Sequence, residues 1–392
     1  MRFLHTGDWH LGRAIGDRPR IDECARVLDE VVAIAKQERI DAMLIAGDTF
    51  DTFSPPSDAQ KLLFETLSRL ARDGVKVVLI AGNHDSAPRI DALATILEIA
   101  GVYVAGSLPA DEGYAPLRIT SRDGSESATV AAIPWIPEHL TVKYDAIFGL
   151  ADEALSQYAA NMERALKFYC SRFPAAGINI LLGHMMIDGT SIGEGSGERR
   201  LHIGNTFAVP GHLLPPAAQY IALGHVHRPQ EVMNSPVSGG SFYAGSLLQL
   251  DFGEAEQKKS VRIVDLKPRL PADSHTASIT TGTGLRNARL RLEDLAAHAG
   301  KYGDDYLRVF VEIDGPVKSL FDQVRDVLPN AISVMPVRTD EPQAASTAPR
   351  QGLEPHELIS RYYRETQARE MPAELLSLFN KMYEEEVERA PA

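Results

Sequence analysis

Seven residues able to bind a metal ion stand at the ends of five apolar runs. They are Asp8, His10, Asp48, Asn83, His184, His225 and His227. The words that carry them are Gly7-Asp8-Trp9-His10, Gly47-Asp48, Gly82-Asn83-His84-Asp85, Gly183-His184 and Gly224-His225-Val226-His227. Carboxylate, carboxamide and imidazole donors without cysteine suit Mn²⁺, Fe or Zn²⁺ better than a soft thiolate site would. Seven donors are too many for one ion and suit two. A single Asp can bridge a pair about 3.5–4 Å apart, a separation that lets both ions grip one phosphoryl group. D-x-H and H-x-H each supply two donors because alternate residues of an extended segment point the same way.

Taken singly, each word has a bland explanation. An Asp after strand-Gly is commonly a turn residue, a loop His is commonly just a surface His, and H-x-H arises by chance. Five such ends in order are not explained that way.

The elements that must position these residues are short and apolar. Met43-Leu44-Ile45-Ala46 reads as a strand buried on both faces, and so do 75–80, 178–182 and 220–223. An acid at such a strand's end sits at the sheet rim, where open α/β layers bind ligands. Between the strands, Val27, Val31 and Ile34 keep helical spacing. Ser57-Asp58-Ala59-Gln60 has the form of a capping box opening a helix with Leu63, Leu67 and Leu70 on one face. Leu93, Ile96 and Leu97 suggest another helix, and 151–173 a long one. On pattern alone this is a doubly wound parallel sheet.

The chain has 392 residues, 44% of them hydrophobic, which leaves room for two or three domains. Small polar residues over 274–284 mark a boundary. Beyond it, a helix near 292–297, an alternating strand over 306–313, a helix over 318–328 and a strand over 331–337 are enough for a small α+β domain. The expected division is a first domain over 1–273, a second over 285–339, a linker over 340–352 and two amphipathic helices over 353–390. Leu358, Ile359, Tyr362 and Tyr363 form the apolar stripe of one helix, and Leu375, Leu378, Phe379 and Met382 that of the other.

Cys24 and Cys170 fall in helical patterns and are expected to be buried free thiols, as in a reducing compartment. No run of about 18 apolar residues is present, and the first residues lack a signal-peptide pattern, so the cytoplasm is expected. The net charge of −13 is unusual for a protein that binds nucleic acid unaided. With a polyanionic substrate, positive charge has to be local, metal-borne or supplied by a partner.

The ordered motifs resemble the calcineurin-like metallophosphoesterase superfamily. The finer wording around Asp8 (His5-Thr6-Gly7-Asp8-Trp9-His10-Leu11-Gly12-Arg13), Gly82-Asn83-His84-Asp85-Ser86, Leu223-Gly224-His225-Val226-His227-Arg228-Pro229 and Leu248-Gln249-Leu250-Asp251-Phe252-Gly253-Glu254 resembles the SbcD family of nuclease subunits. Ser246-Leu247 departs from the Ser-Pro expected there, which touches no ligand.

The resemblance implies an α/β (α+β) architecture: a two-sheet β-sandwich flanked by helices, a small α+β cap that binds DNA, and a helical C-terminal tail. It implies two Mn²⁺ ions, with Mg²⁺, Fe or Zn²⁺ as other ions. Asp8, His10, Asp48 and His227 would hold one, and Asp48, Asn83, His184 and His225 the other. His84 would face the scissile phosphate without binding metal.

The implied activity is that of an SbcCD complex, an ATP-dependent 3′–5′ double-strand exonuclease and single-strand or hairpin endonuclease in DNA repair, replication and recombination. The implied partners are DNA, a second copy of the chain, and the SbcC ATPase, which consumes the ATP and would bind the C-terminal helices. Rival readings are a metallophosphoesterase acting on small phosphoesters and a non-catalytic scaffold of the same fold. The first has little use for a cap, linker and tail, and the second typically loses ligands.

His84 is the candidate for stabilising the transition state or protonating the leaving oxygen. Asp51 is expected to orient it through its carboxylate and raise its pKa, against the alternative of merely capping a turn. Arg13, Arg199 and Arg200 are candidates for gripping DNA phosphates. His5 is expected within the core or behind the ligands. Trp9 is expected either to wall the site or to pack under it.

Overall fold

A computed structural model describes residues 1–108, 114–137, 154–191 and 208–338, with isolated positions between Ile359 and Phe379. The chain divides into two compact units, Met1–Thr339 and Asp340–Ala392. In chain order the first unit opens with β1 (Arg2–Thr6), a hairpin of β2 (Ala14–Ile15) and β3 (Arg18–Pro19), α1 (Ile21–Gln37), β4 (Ala42–Ile45), α2 (Ser57–Arg72) and β5 (Lys76–Ile80). There follow α3 (Ala87–Asp91), α4 (Ala94–Ile99), β6 (Val102–Ala105), β7 (Leu117–Thr120), β8 (Ser127–Ile133), α5 (Ala154–Cys170) and β9 (Ile178–His184). Then come β10 (Tyr220–Gly224), β11 (Gln230–Glu231), β12 (Ser241–Tyr243), β13 (Ser260–Asp265) and β14 (Asp273–Ser278).

These strands form two six-stranded sheets, ordered β14-β13-β1-β4-β5-β6 and β11-β12-β10-β9-β8-β7. The pleat of β4 explains the packing. Met43 and Ile45 face a core shared with α1 and α2, where Val27, Val31, Leu63 and Leu67 lie. Ala42, Leu44 and Ala46 face the second sheet, meeting Val130, Ile180, Leu182 and Ala222. The far side of that second sheet packs Leu181, Ile221 and Leu223 against Tyr158, Met162 and Leu166 of α5. The order of layers is therefore helix, sheet, sheet, helix. A doubly wound single sheet, the reading from pattern alone, is corrected: an apolar strand signals burial on both faces but not whether a helix or another sheet covers each.

Two local expectations also change. The proposed capping box at Ser57 does not form. Pro56 is the N-cap residue of α2, and Gln60 Nε2 donates to Pro55 O at 2.9 Å. Pro56 holds an extended backbone there (φ −61°, ψ 155°), so the chain enters the helix without a side-chain cap. The polar stretch after residue 273 begins as β14, paired antiparallel with β13 at the sheet edge. Its short hydroxyl side chains tolerate the half-exposed edge. Cys24 and Cys170 are free and buried, as expected.

Residues 285–338 form a parallel sheet of β15 (Leu285–Arg291), β16 (Tyr306–Ile313) and β17 (Ala331–Arg338), with α6 (Leu320–Val327) crossing between the last two. Leu307, Val309, Val311 and Ile313 alternate onto one face and pack with Val324. β15 escapes the sequence reading because Arg286, Arg289 and Arg291 interrupt its apolar positions. Among the described residues no helix is long and apolar enough to cross a membrane. The proposed linker at 340–352 lies outside the described residues. Of the two terminal helices only isolated positions are described; at one of them Pro372 O accepts from Leu375 N and Leu376 N, as at the start of a helical turn.

Candidate metal centre

Parallel pairing brings the strand ends together. β1, β4 and β5 run side by side with Thr6 against Ile45 and Ile45 against Leu79, and β9 and β10 end with His184 against Gly224. All seven residues singled out at strand ends thus meet on one rim. Two glycines let the loops approach. A Cβ on Gly82 would lie 2.1 Å from Asp48 Oδ1, and one on Gly224 would lie 1.9 Å from Ala46 O.

Donor atoms of Asp8, His10 and His227 lie within 4.8 Å of one another, as do those of Asp8, Asp48 and His184. His10, Asp48 and His84 form a third such group, which puts His84 beside the cluster. Asn83 Oδ1 lies 3.0 Å from His184 Nε2 and 2.9 Å from His225 Nδ1. Asp48 Oδ2 lies 3.5 Å from His184 Nε2 and 3.6 Å from His10 Nε2.

The hydrogen bonds behind these atoms fix what they present. His184 Nδ1–H donates to Ala46 O at 2.7 Å, which turns the Nε2 lone pair toward Asn83 Oδ1 and Asp48 Oδ2. His10 Nδ1–H donates to the Asp51 carboxylate at 3.2 Å. Its Nε2 is buried, without a hydrogen-bond partner among the described residues. Burial lowers the pKa of His184 and carries that of His225 down to about 3, so both rings stay neutral. With their Nδ1–H groups turned to Ala46 O and to Asp51, His184 and His10 present Nε2 lone pairs toward the oxygens of Asp48 and Asn83. Only a cation fits such a set well.

Outer partners hold the donors. His227 Nδ1–H donates to Glu254 Oε1 at 2.9 Å, and Lys259 Nζ donates to Glu254 Oε2 at 2.6 Å and to His227 O at 2.9 Å. Glu254 is fully buried. Burial alone would raise its pKa, but His227 and Lys259 outweigh that and hold it at about 2. Asp85 accepts from Thr49 N, Phe50 N and Gly82 N, tying the Asp48 loop to the Asn83 loop. Trp135 stacks on His225 at 5.1 Å and walls that side. The sequence reading assigned no role to Glu254, Lys259, Asp85 or Trp135. Glu254 and Asp85 did stand inside quoted motifs, which was the available signal.

The remaining candidates divide. The carboxylate of Asp51 does not meet His84, which corrects the expected pairing. It accepts from His10 Nδ1 and from Arg13 Nη1 (3.1 Å), while His84 Nδ1–H donates to the backbone carbonyl of Asp51 at 2.8 Å. The side chain turns inward because His10 and Arg13 supply two donors there. Arg13 is thus committed to an ion pair. Arg199 and Arg200 lie outside the described residues. His5 is buried against Tyr220 and Leu223 O, and Trp9 packs beneath the site with its Nε1–H donated to Thr6 Oγ1.

Comparison with known proteins gives the family. The family model described as calcineurin-like phosphoesterase matches residues 1–229. The SbcD subunit of the SbcCD nuclease of Bacillus subtilis is 36% identical over 288 residues, 73% of this chain and 71% of that one. Its Rhodobacter capsulatus counterpart is 30% identical over 386 residues, 90% and 91% of the two chains. The Escherichia coli K12 counterpart is 33% identical over 272 residues, 67% and 64%. The family match over residues 1–229 and relatives 30–36% identical make the chain a member of the calcineurin-like phosphoesterases, in the SbcD family.

Proposed function

We propose that this chain is the nuclease subunit of an SbcCD-type complex and hydrolyses DNA phosphodiesters with two divalent ions, Mn²⁺ by preference. The observation that carries the reading is the convergence of His10 Nε2, His184 Nε2, Asn83 Oδ1 and the Asp48 carboxylate in a buried space. Asp8, His10, Asp48 and His227 would hold one ion, and Asp48, Asn83, His184 and His225 the other. When bound, such a pair supplies Lewis-acid stabilisation of the phosphoryl group and lowers the pKa of a water nucleophile.

The chain's own residues then divide the remaining work. Asp48 holds the two donor groups in register. His84, half-buried and edge-on to His10 at 4.8 Å, donates Nδ1–H to the main chain; as the imidazolium it would carry a second proton on Nε2, to be donated to the phosphoryl oxygen or passed to the leaving 3′ oxygen. The acidic chain would borrow its grip on DNA from the ions, from arginines of the cap, and from an SbcC-type ATPase held by the C-terminal helices, since Arg13 is held by Asp51. The exposed Leu375 supports that last contact.

The test is direct. With Mn²⁺ the purified protein should degrade linear duplex DNA from its 3′ ends, faster with an SbcC-type ATPase and ATP, and Asp48→Ala should abolish cleavage. Inert DNA beside brisk turnover of a phosphomonoester would move the assignment to small phosphoesters. Removing residues after 350 should spare Mn²⁺-dependent cleavage and break the complex; an intact complex would refute the role given to the tail.

A further inference from the structure

Residues 249–254 touch the metal centre at one end and the cap at the other. On the inner side, Glu254 accepts from His227 Nδ1 and from Lys259 Nζ. The segment is closed on itself, because Leu250 N donates to Glu254 Oε2 at 3.2 Å and Gln249 Nε2 donates to Ala255 O and Gln257 O. On the outer side, Gln249 Oε1 accepts from Leu285 N at 2.6 Å, and Phe252 O accepts from Asn287 Nδ2 at 3.1 Å. The Arg308 guanidinium lies over the Phe252 ring at 4.6 Å, and Phe252 packs with Ile15 and Leu285. These cap contacts fall within five residues of the carboxylate that holds His227.

We infer that residues 249–254 are a positioning device that links the cap to the His227 end of the metal centre, with Phe252 and Arg308 as its outer members. A packed segment with no slack passes on a displacement, since close-packed protein interiors transmit strain rather than absorb it. Shifting β15 and β16 moves Phe252, and with it Glu254, whose oxygens are committed to His227 and Lys259. Polymer bound against the cap would thereby adjust the ion at His227, whereas a small phosphoester that never reaches the cap would not. The inference rests on the proposed assignment of His227 as a metal ligand.

The experiment uses the full chain with Arg308→Ala and Asn287→Ala combined, two changes confined to the cap. Mn²⁺ binding is measured by calorimetry, and the His227 ring resonances are followed in metal-free, histidine-labelled protein. One of two Mn²⁺ equivalents should weaken about 3–10-fold, less than the roughly 10–100-fold cost of losing an outer-shell partner outright. The other equivalent should be unchanged, and the His227 signals should move. Arg308→Lys, which keeps a cation over the ring, should restore both. If the double variant does not fold, Phe252→Leu carries the same expectation. Wild-type affinity at both equivalents together with unmoved His227 signals in a folded variant overturns the inference. His227→Ala separates the two failures: if it leaves Mn²⁺ binding intact, the metal assignment itself is wrong.

Discussion

His84 takes its support from the main chain of Asp51: its Nδ1 lies 2.8 Å from that residue's carbonyl oxygen. The side chain of Asp51 is therefore free to serve His10 and Arg13. Asp51→Ala should keep His84 in place and weaken metal retention about tenfold, as loss of an outer-shell partner does. Activity titrated with Mn²⁺ should recover to within a few-fold at saturation. A loss of kcat that excess Mn²⁺ cannot restore, with a displaced pH profile, would return the carboxylate to His84.

Gly82→Ala should damage stability and site together. The added Cβ would lie 2.1 Å from Asp48 Oδ1 and 2.3 Å from Asp48 N, so main chain has to move. Overpacking of this kind costs about 1–3 kcal/mol. Gly74 is a control: it has a positive φ (+76°), but its Cβ would meet nothing within 4 Å. Gly74→Ala should cost only the left-handed backbone, about 1–2 kcal/mol, and leave bound metal unchanged. Urea titration and metal analysis separate the two.

The buried Glu254–Lys259 pair should part stability from metal binding. Lys259→Met removes the lysine cation paired with a buried carboxylate and should cost about 3–5 kcal/mol. Glu254→Gln should lower metal affinity about 10–100-fold. The double variant should regain most of the stability while its metal affinity stays low. Recovery of both would mean that Glu254 does not position His227.

His5 makes stability depend on pH. Burial, reinforced by Arg262, lowers its pKa to about 3, against an ordinary 6.5. The folded ring stays neutral, its Nε2–H donated to Leu223 O and its Nδ1 accepting from Tyr220. As pH falls below 6.5 the unfolded chain takes up the proton first. The contribution is complete above 6.5 and is lost toward pH 3. Between pH 7.5 and 5.5 this one ring should cost about 1.4 kcal/mol. His5→Gln should flatten the urea-measured stability profile by that amount; an unchanged slope would show that the ring protonates inside the fold.

The sequence made the site more legible than the fold. Gly-Asp, Gly-Asn-His and His-x-His words mark strand ends, and donors at the ends of parallel strands must share a rim. What covers a buried strand is a long-range fact, so the second sheet appeared only in the resemblance, not in the periodicity. Asp51 was misread for a related reason. A side chain's partner depends on which loop packs beside it, and residue types alone could not tell its carboxylate from its carbonyl. Glu254 stands 27 positions beyond His227, too far for spacing to join them.

Asp8, His10, Asp48 and His225 have φ of 51°, 46°, 48° and 97°, in a region that side-chain-bearing residues seldom occupy. Backbone strain of this kind costs on the order of 1–3 kcal/mol per residue and persists only where surrounding structure enforces it. The donor rim is therefore a permanent load on the sandwich beneath it. Selection for thermal robustness alone would push these four positions toward glycine, giving a tougher protein emptied of its chemistry. Aspartate and histidine at these positions give up durability for the donor atoms that the rim presents.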